Sequence, residues 1–156
     1  MNKQTFDAAV EKLLAEARAL IPEETLPDLP YREGIDPGWY DFELKLWTKG
    51  EELRQFLSSS RRGLREDQIL AVLALCRNVN AKRGRQSFLM LLGRRGYAAH
   101  GQAVAALLSD PHLTGHAIDT LYKMGVSGYC REVEPFLDHP MTWVRNSAKR
   151  YLLKFS

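Results

Sequence analysis

The stretch VEPFLDHPMTWVRNSAKRYLLKF, residues 133–155, decides the fold. It reads as two helices broken at His139-Pro140. Val133, Phe136 and Leu137 line one face of the first; Val144, Ala148, Tyr151, Leu152 and Phe155 line the second, at spacings of three and four that make one apolar stripe per helix. A single hairpin cannot bury both stripes, so a neighbouring hairpin must cover them. The chain just upstream repeats the order: Val104, Leu107 and Leu108, then Asp110-Pro111, then Leu113, Ala117 and Leu121. Val133 follows Val104 by 29 residues, and Val144, Ala148 and Leu152 follow Leu113, Ala117 and Leu121 by 31. A two-helix unit recurring every thirty or so residues is the signature of a helical solenoid.

Residues 144–152, VRNSAKRYL, resemble the V-R-x-x-A-x-x-x-L second helix of a HEAT repeat, and the Leu-Asp-His-Pro turn before them resembles the turn of that family. The resemblance is best over residues 99–156. It implies an all-α chain, a short α-α superhelix of about three hairpins with an N-terminal helical cap, that works by binding rather than by catalysis. It also implies that Arg145 reaches a carboxylate, for which Asp138 and Asp110 are the natural partners. His139 stands where the family more often has Asp.

At 156 residues the expectation is a single domain with ordinary globular composition, 45% apolar and 26% charged. No run of about eighteen apolar residues predicts a membrane span. The N-terminus lacks the apolar segment of a signal peptide, and two cysteines are too few for a disulfide framework, so a cytoplasmic protein is expected. The net charge of +3 is unevenly spread: residues 1–60 carry 7 Lys+Arg against 12 Asp+Glu, and residues 61–156 carry 15 against 7. Either the two parts complement each other or one face is built for a charged partner.

In chain order, a first helix is predicted over about Lys3 to Leu20, with Phe6, Val10, Leu13, Leu14 and Ala17 inward and Thr5 able to cap its start. A proline-bearing connector then runs from Ile21 to Asp36. Asp36-Pro37 reads as an N-cap and first helical position, opening an aromatic helix to Trp47 with Trp39, Phe42 and Leu46 on one stripe and Tyr40, Leu44 and Trp47 on another. A short helix over Gly50–Leu57 and an amphipathic one over Leu64–Arg77 follow. Arg83 to Arg94 reads as an eroded repeat in which Ser87 takes the small-residue place of Ala117 and Ala148. Helices over 96–109, 113–124, 129–138 and 141–155 complete nine, without a convincing strand.

No catalytic constellation emerges. His112 and His116 are four apart, as metal ligands on a helix are, but lack a third ligand, and Asp110-Pro111 puts His112 outside the helix proper. Cys76 and Cys130, set beside His100, have no strained nucleophile turn around them. Neither a cofactor nor a metal is therefore expected. Two surfaces are candidates for binding. The acidic connector, with Glu23, Glu24, Asp28, Glu33, Asp36 and Asp41, would suit a basic protein such as a nuclease toxin, making the chain an immunity protein. The basic set Arg85, Arg94, Arg95, Lys123, Lys149, Arg150 and Lys154 would suit a polyanion or an acidic protein face. It gives the alternative of a nucleic-acid-binding protein resembling HEAT-like alkylpurine DNA glycosylases.

Overall fold

The computed structural model describes residues 1–30 and 38–156. Glu33, Asp36 and the Asp36-Pro37 pair lie outside the described residues. The described chain is all-helical, without strands. Eight α-helices span Lys3–Leu20 (α1), Asp41–Ser60 (α2), Glu66–Arg77 (α3), Gln86–Met90 (α4), Gly101–Ala105 (α5), Thr114–Met124 (α6), Cys130–Val133 (α7) and Thr142–Phe155 (α8). Short 3-10 turns precede α4 and α5 and follow α7. Packing divides the chain into two compact units, residues 1–88 and 89–156. The division falls within α4, not at residue 60 where the charge changes sign.

In the first unit, α1 starts at Asn2, whose side-chain oxygen accepts the Thr5 N–H at 2.8 Å; Asn2, not Thr5, supplies the cap. Phe6, Val10, Leu14 and Ala17 are buried as the spacing predicts, and Leu13 is half-buried. α2 begins four residues after Pro37. Glu43 reaches back to the Tyr40 N–H at 3.1 Å and satisfies one of the donors a helix start leaves over. The two helices expected over 37–47 and 50–57 are one, continuous through Gly50. Gly50 does not break the helix; it lets Ser87 and Phe88 approach, since a Cβ there would lie 2.0 Å from Ser87 Oγ and 3.1 Å from Phe88 Cδ2. On the first stripe Leu46 is buried and Trp39 and Phe42 are half-buried; on the second, Tyr40 and Trp47 are half-buried and Leu44 is exposed. α3 buries Ile69, Val72, Leu73 and Cys76, the four residues its pattern names. Arg65 at its start bonds Asp7 and Glu11 of α1 as well as Asp67.

The second unit buries Val104, Leu107, Leu108, Leu113, Ala117, Leu121, Val133, Val144, Ala148 and Tyr151 of the predicted stripes, while Phe136, Leu137, Leu152 and Phe155 are half-buried. α6 packs directly on α8. Their contacts run in the same order along both helices, from Gly115 and His116 against Trp143 and Val144 to Tyr122 beside Lys154, so the two lie parallel. The helices expected over 83–94, 96–109 and 129–138 are each shorter, a 3-10 turn joined to a brief α segment. α6 ends on Gly125 at φ 74, with the Val126 N–H bonded to Leu121 O at 3.1 Å, a left-handed closure that glycine makes without a Cβ penalty.

The turns before α6 and α8 are built alike by different atoms. Asp110 Oδ1 accepts the His112 N–H at 2.9 Å, and 29 residues later His139 Nδ1 accepts the Met141 N–H at 3.0 Å. His139 thus does with a ring nitrogen what Asp does with a carboxylate. Arg145 differs from expectation too. It donates to His139 O at 2.6 Å, Pro140 O at 2.9 Å and Thr142 Oγ1 at 2.9 Å, and forms no ion pair with Asp138 or Asp110. The carbonyls of the turn converge on the guanidinium and satisfy it, so no carboxylate is needed.

Candidate binding surface on α6 and α8

Because α6 and α8 are parallel and in contact, residues spaced three and four apart on each meet across one face. At its start Trp143 lies over Gly115, where a Cβ would stand 2.3 Å from the indole edge, and tilts against the His116 ring at 4.9 Å between centroids. Trp143 stays 40% exposed. One turn on, Asp119 pairs with Lys123 at 2.9 Å and Arg150 at 3.7 Å. Beyond it, Lys154 lies 4.7 Å and Arg150 5.8 Å from the centre of the Tyr122 ring. Arg150 also donates to the buried Ser147 hydroxyl at 3.3 Å. One edge thus runs from an aromatic platform to a group of cations.

Of the expected basic set, the structure brings Lys123, Arg150 and Lys154 together here. Lys149 is exposed on α8 without an ion pair among the described residues. Arg94 and Arg95 are exposed and follow directly on Gly93, whose Cβ would stand 3.3 Å from the Lys123 side chain. Arg85 must be withdrawn from the set. It is 1% exposed, with Nε on Lys82 O at 2.6 Å and Nη1 on Cys76 O at 3.0 Å. The helix predicted to present it is a 3-10 turn instead, which aims the side chain into the first unit. Residues 89–156 carry 8 Lys+Arg against 5 Asp+Glu, whereas residues 1–88 carry 14 of each, so the whole excess of +3 lies in the second unit.

The described part of the acidic connector makes contacts within the first unit. Asp28 pairs with Lys82 at 2.6 Å, and Asp41 with Lys45 at 2.8 Å. The Asn80 amide donates to Pro22 O at 3.2 Å and Glu23 O at 3.1 Å, and Tyr40 O–H donates to Pro27 O. Lys82 adopts φ 49, a left-handed conformation costing a non-glycine residue about 1 kcal/mol or more, while its side chain is buried against Asp28. Glu23 and Glu24 are exposed.

Among the described residues no group of three or more His, Cys, Asp or Glu is placed to hold a metal, and no helix is long and apolar enough to cross a membrane. Full burial pushes the Cys76 thiol up to about 12, which suppresses the thiolate that would react. Cys130 is only half-buried. A thiol reagent applied to the folded chain near neutral pH is therefore expected to modify Cys130 alone, and both cysteines in denaturant; mass spectrometry of the labelled chain reads the difference.

Burial against Trp143 holds the His116 imidazole below its ordinary 6.5, a shift that nearby Lys123 reinforces and Asp119 opposes. The folded chain then binds fewer protons than the unfolded one once pH falls below about 6.5, so acidification costs stability there until the folded-state value is passed. Substitution His116→Gln is expected to reduce the loss of stability between about pH 7.5 and 5.5. Urea titrations of both chains across that range check it; identical pH profiles would refute the assignment.

Comparison with protein-family models, curated proteins and solved structures returns no match.

Proposed function

We propose that the chain is a non-catalytic protein-binding module whose working surface is the α6–α8 face. The observation that carries this reading is the half-exposed Trp143, seated on Gly115 and His116 at one end of an edge that ends in Lys123, Arg150 and Lys154. Aromatic and arginine side chains on a rigid base are what interface hot spots are made of. The V-R-x-x-A pattern of α8 and the parallel packing of α6 on α8 support reading them as the second helices of successive HEAT-like repeats.

The test is affinity capture from the native cell extract with the wild-type chain and with a Trp143→Ala/Lys154→Ala double variant of unchanged circular dichroism. A protein retained by the first and lost with the second is expected; equal retention by both would overturn the reading. Toxin neutralisation through the acidic connector is the finer form of a protein-binding role. Among the described residues its support is the exposed Glu23, Glu24, Asp28 and Asp41, of which Asp28 pairs with Lys82 and Asp41 with Lys45. A captured basic nuclease released by Glu23→Lys/Glu24→Lys would favour it. The second reading, nucleic-acid binding, draws on the +3 excess of residues 89–156. It calls for affinity for duplex DNA that falls steeply with salt.

A further inference from the structure

Resting on that reading, we infer that the α6–α8 face takes an amphipathic acidic protein segment of fixed polarity. One apolar side chain lies on the Trp143 platform, and carboxylates reach the cations about 16 Å away. The separation follows from the helix itself. Trp143 and Lys154 are eleven residues apart on α8, and each residue rises about 1.5 Å, so the two ends of the edge are set about 16 Å apart. The platform end is apolar: Trp143 and Met141 are both exposed, and Gly115 leaves no side chain between the indole and α6. The far end is cationic, with Lys123, Arg150 and Lys154 grouped about Tyr122.

Charge complementarity selects the occupant. Against the three cations Lys123, Arg150 and Lys154, the ion pairs described on the edge hold one acid, Asp119, which already engages Lys123 and Arg150. Asp119 holds two cations in place while leaving the edge net positive. A carboxylate-bearing segment can add to this arrangement at the cation end and bury its apolar residue at the other. A nucleic-acid backbone repeats its charge along its whole length. It would meet Asp119 in the middle and, at the Trp143 end, only Arg145, whose guanidinium is already held by His139 O, Pro140 O and Thr142 Oγ1, and contacts to about three phosphates give a weak, steeply salt-dependent complex. The segment's direction is fixed because the two ends of the face have different chemistry.

The probes are two labelled helical peptides of about fourteen residues and equal composition. One carries Phe near its start and three Glu about three turns further on; the other has the three Glu beside the Phe. Fluorescence anisotropy with the full chain is expected to show the first binding at least about fivefold more tightly. Trp143→Ala should weaken that peptide by about tenfold. Lys123→Ala and Lys154→Ala should each weaken it severalfold and flatten its salt dependence. Because Trp143 is a surface residue, its removal leaves the core intact. Gly115→Ala, which pushes the indole off its seat, serves as a second variant and should also weaken the ordered peptide.

Equal affinity for the two peptides would overturn the inference, as would no binding of either at about 1 mM, a free energy near −4 kcal/mol. Tighter binding of a duplex DNA, unaffected by Trp143→Ala, would do the same. If the captured protein depends on the face while peptide order makes no difference, this inference fails and the binding role stands. If capture is independent of the face, both fail.

Discussion

Gly50→Ala is expected to destabilise the first unit by about 2 kcal/mol, even though alanine is the better helix former. Two effects oppose each other. Helix propensity favours alanine over glycine by about 1 kcal/mol in a helix interior. Against that, the new methyl would stand 2.0 Å from Ser87 Oγ, 2.7 Å from Ser87 Cβ and 3.1 Å from Phe88 Cδ2, in a region where Ser87 and Phe88 are buried. Ser87 Cβ is bonded to the backbone and cannot swing away, so the segment must shift. Overpacking of this kind costs about 1–3 kcal/mol, with strain added, and outweighs propensity. The contact is specific and can be relieved. In Gly50→Ala/Ser87→Gly most of the loss should return, a coupling that a double-mutant cycle isolates. Ser87→Ala alone should stabilise by about 1 kcal/mol, because Ser87 Oγ is buried with no hydrogen-bond partner among the described residues. Urea denaturation followed by circular dichroism measures wild type, Gly50→Ala, Ser87→Gly, the double variant and Ser87→Ala; a Gly50→Ala chain more stable than wild type would show that α2 and the 87–88 segment can separate freely.

Tyr151→Ala should cost more, about 3–5 kcal/mol, and Tyr151→Phe about 1–2. The ring is fully buried and packs on Phe155 at 4.7 Å between centroids. Its hydroxyl donates to Val126 O at 2.7 Å and accepts the Tyr129 N–H at 3.3 Å. Those two bonds tie α8 to the loop between α6 and α7, whose glycines Gly125 and Gly128 hold positive φ. Phenylalanine keeps the ring and strands one carbonyl and one N–H; alanine also leaves a cavity. Equilibrium unfolding checks the order. A Phe variant as damaging as the Ala variant would mean that the loop bonds, not the ring, hold this end of the unit.

Much of the second unit could be read from residue spacing. Periods of three and four placed Val144, Ala148 and Tyr151 inward on α8, and Leu113, Ala117 and Leu121 on α6, because a helix brings such positions to one side whatever lies against it. The cations Lys123 and Lys154 stand at the same 31-residue offset. Trp143 stands out in sequence only as an aromatic of the basic second part, together with Tyr151. At position 143 it falls off the apolar stripe, and the missing side chain of Gly115, on another helix, gives the indole its seat.

The first unit was less legible. Contacts distant in sequence shape it: Gly50 lies within α2 with no side chain because Ser87 fills that space, and Arg85 turns inward to the carbonyls of Cys76 and Lys82. The acidic connector looks free in sequence, yet Asn80 and Lys82, more than fifty residues on, hold it. The sequence alone determined the helical class and most of the inward faces, since these follow from local periodicity and chain chemistry. Only the tertiary structure decided which charged residues are buried, which are neutralised and which share a surface with an exposed tryptophan. Those outcomes depend on which backbone or side chain meets each group across the fold, and spacing along the chain carries no record of that.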